Sequence, residues 1–303
     1  MSAPTVDWTR PETLYTILCR PALPKDTPDV MELTRTIWEG EDYVPHVWAE
    51  WLVDYQGTLA VAEYGPCVVG LGKLTRLGAG EWWMEGLRVH PQYEGRGIAS
   101  RLHEYLLSHW QSQGEGVLRL STASFRAPVQ HLCERTGFQK IAELTIFRAL
   151  ALPGEAASTP LALQDVDDAY RLAMASETIP LTAGLQDLGW QWAQVSVERI
   201  LQAVQRRRAW WWGDGAGLLL ARDDEGENAL VAQLVACTML DLSELLTGFR
   251  SLAAAAGCTR AEWLAPLEPG VEPALQAAGF QREWDASIYV YEKLRQPDPW
   301  LGG

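Results

Sequence analysis

A strand that runs into a glycine-broken turn and then a helix restricts this chain's fold more than any other feature. The strand is EWWMEGLRV (81–89), whose alternation suits an extended segment. The helix follows at 98, with Ile98, Leu102, Tyr105, Leu106 and Trp110 on one face and Arg101, Glu104 and Gln111 turned away. Between them stand Gly95 and Gly97, flanking Arg96. Glycine removes Cβ where a ligand must approach the backbone, and the first helical turn offers unpaired N–H groups with partial positive charge. The segment therefore predicts an α/β (α+β) fold and a place to hold phosphate, with Arg96 as an added cation.

The pattern excludes two common phosphate sites. A nucleoside triphosphate loop needs Gly-Lys-Ser/Thr opening the helix, and a dinucleotide site needs G-x-G-x-x-G with an acidic residue about twenty positions on. Neither is present. What Glu94-Gly95-Arg96-Gly97-Ile98-Ala99 resembles is the acetyl-CoA loop of the GNAT N-acetyltransferase superfamily, whose pattern is Arg or Gln, two residues, Gly, one residue, then Gly or Ala. Glu94 departs from it by placing a carboxylate where the family has Arg or Gln. The resemblance implies that Gly95, Arg96, Gly97, Ile98, Ala99 and Ser100 hold the pyrophosphate of acetyl-CoA. Arg88 and Val89 would then pair their main chain with the pantetheine arm as an added strand.

Glu85 falls four residues before Val89, where many members of that family carry their general base. The chemistry needs one, because most amines are protonated near neutrality and only the neutral form attacks. A solvated strand residue or a substrate anchor is the other reading of Glu85, and Glu81 is a second candidate base. Downstream, VLRLST (117–122) reads as a strand, APVQHLCERT (127–136) as a helix and Gly137-Phe138 as its stop, matching the family's closing elements. Two departures occur there. Arg126 occupies the usual Asn position, and Cys133 replaces the Tyr that often protonates the departing thiolate. Cys133 shares an apolar face with Val129 and Leu132, which suits a core residue.

An internal repeat accounts for the 303 residues. LPKDTPDVMELT is echoed by LALQDVDDAYRLA, and ERTGFQKIAE by QAAGFQREWD, with Gly-Phe pairs at 137 and 279. The linker ALPGEAASTP (151–160) separates the copies. The reading is two tandem GNAT folds, each a mixed, mostly antiparallel sheet flanked by helices: a catalytic domain at 1–150 and a degenerate domain at 161–303. The second copy has no glycine loop. Its helix DLSELLTGFRSLAAAAG is expected to be capped by Asp241 with Glu244 completing a capping box. That copy is expected to complete the sheet, wall the substrate pocket or form a homodimer contact. Trp210, Trp211 and Trp212 are read as core residues.

Composition sets further limits. Five cysteines, odd in number and without C-x-x-C pairs, suggest neither a disulfide framework nor a zinc site, and a cytoplasmic location is expected. No metal is called for by the chemistry. A net charge of −14 opposes nucleic-acid binding, and no apolar run approaches a membrane span. In the family that the chain resembles, the segment corresponding to IWEGEDYVPHVWAEWL (37–52) folds over the acceptor pocket, which implies Glu39, Glu41 and Asp42 for an ammonium group, Tyr43 and Trp38 as flat surfaces, and His46 beside them, each with a solvated loop or helix residue as its other reading. Short segments, including Gly-Glu-Asp-Tyr-Val-Pro, are similar to vertebrate histidine N-acetyltransferase-like proteins, which implies a free amino acid such as histidine as acceptor. The function expected is acetyl transfer from acetyl-CoA to a small-molecule primary amine. An acyl-CoA-sensing or scaffolding protein is the alternative, as is the same chemistry on an aminoglycoside, a polyamine or a protein N-terminus.

Overall fold

A computed structural model describes residues 16–35, 37–113, 116–155 and 157–295, excluding the side chains of Trp38 and Glu39. The chain forms two compact units, 1–116 and 117–303.

In the first unit the element order is β1 (Ile17–Pro21), α1 (Thr27–Thr34), α2 (Val44–Val53), β2 (Thr58–Tyr64), β3 (Cys67–Gly78), β4 (Glu81–Val89) and α3 (Ile98–Ser112). The four strands pair in sequence order and antiparallel. Alternation along β3 sends successive residues to opposite faces. Leu71 joins Val30, Leu33, Trp48 and Trp51 in a core beneath α1 and α2. Gly70 and Gly72 face α3, where a Cβ on either would stand 3.0 Å from Leu102 or Leu106. The helix thus approaches the sheet more closely than side chains on β3 would permit. The face read for α3 is the face buried: Ile98, Leu102, Leu106 and Trp110 are in the core, while Arg101 and Glu104 are exposed.

The second unit runs β5 (Val117–Ala123), α4 (Ala127–Arg135), β6 (Gln139–Leu150), β7 (Ser158–Pro160), α5 (Val166–Ala175), β8 (Leu185–Asp187), β9 (Trp192–Gln194), α6 (Val197–Gln205), β10 (Ala209–Trp212), β11 (Gly217–Asp224), β12 (Ala229–Ala236), α7 (Leu242–Ala255), β13 (Arg260–Pro266), α8 (Val271–Ala277), β14 (Gln281–Arg282) and β15 (Ile288–Leu294). Strands β5, β15, β6, β13, β12, β11, β10 and β7 lie side by side in that order. Only the β12–β13 pairing among these is parallel. The final strand therefore inserts between β5 and β6, and β6 in turn pairs with β13. Segments on either side of the 151–160 linker are interleaved in one sheet. The linker itself is tied down, with Ala151 and Leu152 N–H bonded to Thr259 and Arg250 carbonyls and β7 paired to β10.

One core lies under α7 and α8 and holds Trp210 and Trp212; the other lies under α5 and α6 with Trp211 against it. The tryptophan run is core, as its alternation implies. Asp241 departs from expectation. It is the N-cap of α7 but bonds no helix N–H; its carboxylate instead accepts from Thr238 Oγ1 at 2.7 Å. No helix among the described residues is long and apolar enough to cross a membrane.

Candidate active site

The site begins at an irregularity in β4. Leu71 pairs with Arg88 and Lys73 with Glu85, so Gly86 and Leu87 together stand opposite Gly72. This is a β-bulge, which redirects a strand and its side chains. Gly86 has φ +66°, and a Cβ there would lie 2.6 and 2.8 Å from the Trp51 indole of α2. Only glycine meets both conditions.

Glu85 sits just before the bulge and is half-buried. Its Oε1 accepts a hydrogen bond of 2.5 Å from Thr75 Oγ1 on β3. Thr75 is a site residue that motif reading missed; a cross-strand partner ten positions away has no motif of its own. The Tyr43 phenol lies beside this carboxylate. Burial, reinforced by the Glu85 charge and opposed by Arg88, pushes Tyr43 up to about 12. The phenol therefore stays protonated near neutrality and is no base. One flank of the residue remains 36% exposed. Its ring meets Trp51 edge-on at 6.0 Å, with the Arg88 guanidinium 5.3 Å from its centre.

Asp42 is not placed as an ammonium anchor. It is 2% exposed, and Arg88 grips it through Nε to Oδ2 at 2.9 Å and Nη2 to Oδ1 at 3.1 Å. The Val44 N–H also donates to Oδ1 at 3.2 Å. A carboxylate so engaged ties the start of α2 to β4, and the Arg88 side chain is committed to that pair. The Glu39 side chain lies outside the described residues. His46 and Glu41 are exposed.

Past Val89 the chain makes a 3-10 turn over Pro91–Tyr93 and enters the glycine turn. Gly95 and Gly97 have φ of +75° and +78°, and a Cβ on either would meet nothing within 4 Å. The turn thus needs glycine for its backbone and leaves its outer side open. Gly97 is the N-cap of α3 and brings no side chain to it. The first-turn N–H groups, which have no intrahelical acceptor, begin at Ile98. The Ile98 side chain is in the core, and Ala99 and Ser100 are half-buried. Arg96 is exposed and rests over the rings of Tyr64 and Tyr93 at 5.7 and 5.4 Å. Glu94 is exposed as well. Open backbone donors at a helix start, beside an arginine, suit the pyrophosphate of a coenzyme.

In the second unit Cys133 is fully buried, and burial pushes its thiol up to about 12, so it is a protonated core residue. The β11–β12 pair repeats the bulge: Leu220 faces Leu234 and Ala221 faces Ala232, leaving Gln233 unopposed. By register, Ala232 stands just before the irregularity in β12 as Glu85 stands just before the one in β4.

Residues 27–138 match the model of the acetyltransferase (GNAT) family. A stretch of 82 residues is 34% identical to a histidine N-acetyltransferase of Oreochromis niloticus and covers 27% of this chain and 24% of that protein. The chain thus spans about a quarter of the length of the curated relatives it matches. Among solved structures, a GCN5-related N-acetyltransferase from Sphaerobacter thermophilus superposes with a TM-score of 0.64 at 14% identity, over 93% of this chain and 96% of that one. A tandem GNAT protein from the clavulanic acid biosynthesis pathway gives 0.57 at 12% identity, over 93% and 100%. Such identities establish the shared fold: the chain has the GNAT fold, a mixed sheet flanked by helices.

Proposed function

We propose that this protein transfers the acetyl group of acetyl-CoA to the primary amine of a small molecule by direct attack within a ternary complex. The observation that carries the reading is the continuous path from Glu85, through the Gly86 bulge, to the open N-terminus of α3. Gly95, Gly97 and the first-turn N–H groups would hold the pyrophosphate, with the main chain at Arg88 and Val89 aligning the thioester. The neutral amine attacks the thioester carbonyl carbon, forming the N–C bond and, as the intermediate collapses, breaking the C–S bond. Glu85 takes the amine proton, directly or through water, and the leaving thiolate takes its proton from water.

A free amino acid such as histidine is the acceptor we favour, on the similarity to a histidine N-acetyltransferase. The second copy, 161–303, is read as catalytically degenerate because Ala232 stands at the register position of the base and no glycine turn follows β12. The test is thiol release from acetyl-CoA against a panel of amino acids, polyamines, aminoglycosides and peptides, run on wild type and Glu85→Gln. The variant is expected to lose at least tenfold in turnover, on the order of a general-base contribution, with acetyl-CoA affinity nearly intact. Unchanged turnover from about pH 6 to 9 would remove Glu85 from the mechanism. Coenzyme binding without turnover of any amine would mark an acyl-CoA sensor instead.

A further inference from the structure

We propose that the second unit carries a site of its own for a small ammonium group, in the cleft between the β8–β9 hairpin and the bulge of β12.

The cleft is lined by Thr182, Asp187, Trp192, Gln233 and Trp263 together with five aliphatic residues. It lies at the bulge that repeats the one beside Glu85, so the fold returns an acceptor-like position where the base is gone. Asp187 is 4% exposed. Its Oδ1 accepts from the N–H groups of Gly189 and Trp190, both at 2.8 Å. Its Oδ2 accepts no hydrogen bond, although a buried carboxylate oxygen in that state carries the cost of its lost hydration. The facing cation does not close the gap. Arg222 Nη2 stands 3.8 Å from Oδ2, its Nη1 is shared with Asp224 at 3.6 Å, and its Nε also makes no bond. A bidentate bridge would have used those atoms.

What the cleft asks for is therefore a compact group that donates to a carboxylate and tolerates an aromatic wall. Trp192 and Trp263 supply indole surface, which attracts cations as well as excluding water. The Gln233 amide is turned to the hairpin, with Nε2 donating to the Asp187 main-chain carbonyl at 2.9 Å, and so ties the Asp187 backbone to β12. The free space matches about one water-sized group, which is the size of an ammonium head. With Ala232 at the register position of the base and no glycine turn, an amine held here would be bound and not acetylated. The second copy would then be a place where amine is sensed.

The experiment is calorimetric titration of the full chain with methylammonium chloride at constant ionic strength, with potassium chloride as the parallel titrant. One saturable site is expected for methylammonium, at least tenfold weaker in Asp187→Asn, which keeps the shape and the Oδ1 contacts but removes the charge. Trp192→Phe, which leaves the carboxylate intact, should weaken it severalfold and serves should the first variant fail to fold. Retention of the site in Glu85→Gln would locate binding away from the first unit. The proposal is overturned by no saturable binding, by equal affinity in both second-unit variants, by loss in Glu85→Gln alone, or by potassium binding as tightly as methylammonium.

Discussion

Gly86→Ala tests how the site is built, independently of what it does. The native φ of +66° places an alanine in the left-handed region, at a cost of about 1–2 kcal/mol. Its Cβ would also enter the Trp51 ring, at 2.6 Å from Cη2 and 2.8 Å from Cζ3. That ring cannot swing clear, because it belongs to the core beneath α2 and meets Tyr43 edge-on. Forcing a methyl into such packing costs about 1–3 kcal/mol. The smaller entropy of an unfolded alanine returns about 0.4–1 kcal/mol, leaving a net loss of roughly 2–4 kcal/mol. Urea unfolding followed by circular dichroism reads this directly. The steric part should vanish in a Trp51→Leu background, where Gly86→Ala should cost only about 1 kcal/mol. A loss below about 0.5 kcal/mol in the wild-type background, or the same loss in both, would refute the account of bulge and indole as one unit.

Two further outcomes follow from the same unit. Asp42→Ala takes both hydrogen bonds to that carboxylate from the Arg88 guanidinium, whose side chain is 11% exposed, and should destabilise by about 3–5 kcal/mol in thermal or urea unfolding; Arg88→Ala in the same chain should recover part of that loss. Asp26 sets an acid limit. Burial pushes its carboxyl up, but hydrogen bonds from the Arg20 guanidinium and the Leu23 N–H outweigh this and hold it below the usual 3.8. Its contribution is complete above 3.8 and is lost as pH falls through the lower folded value. Urea midpoints measured from about pH 5 to about pH 2.5 should fall less steeply in Asp26→Asn, and an unchanged slope would exclude this pair as a source of acid sensitivity.

The elements that local spacing can specify were legible in the sequence. Ile98, Leu102, Leu106 and Trp110 recur at helical intervals, and that is the face α3 buries. Gly95 and Gly97 mark a turn that needs positive φ, and both adopt it. Each conclusion depends on residues a few positions apart, where the geometry of one helix or turn is the whole constraint. The carboxylates were not legible in this way. Asp42 lies in a run that suits an acceptor loop, yet its partner is Arg88, 46 residues on, and Asp241 turns from its own helix to Thr238. Thr75 reaches Glu85 only because β3 and β4 pair with a slipped register. The repeat with its linker divides the sequence near 151–160, whereas β15 crosses back to lie between β5 and β6. Spacing fixes which face of an element is apolar; which distant strand lies alongside, and which cation meets a given carboxylate, depends on burying many such faces at once. Only the tertiary structure decided that.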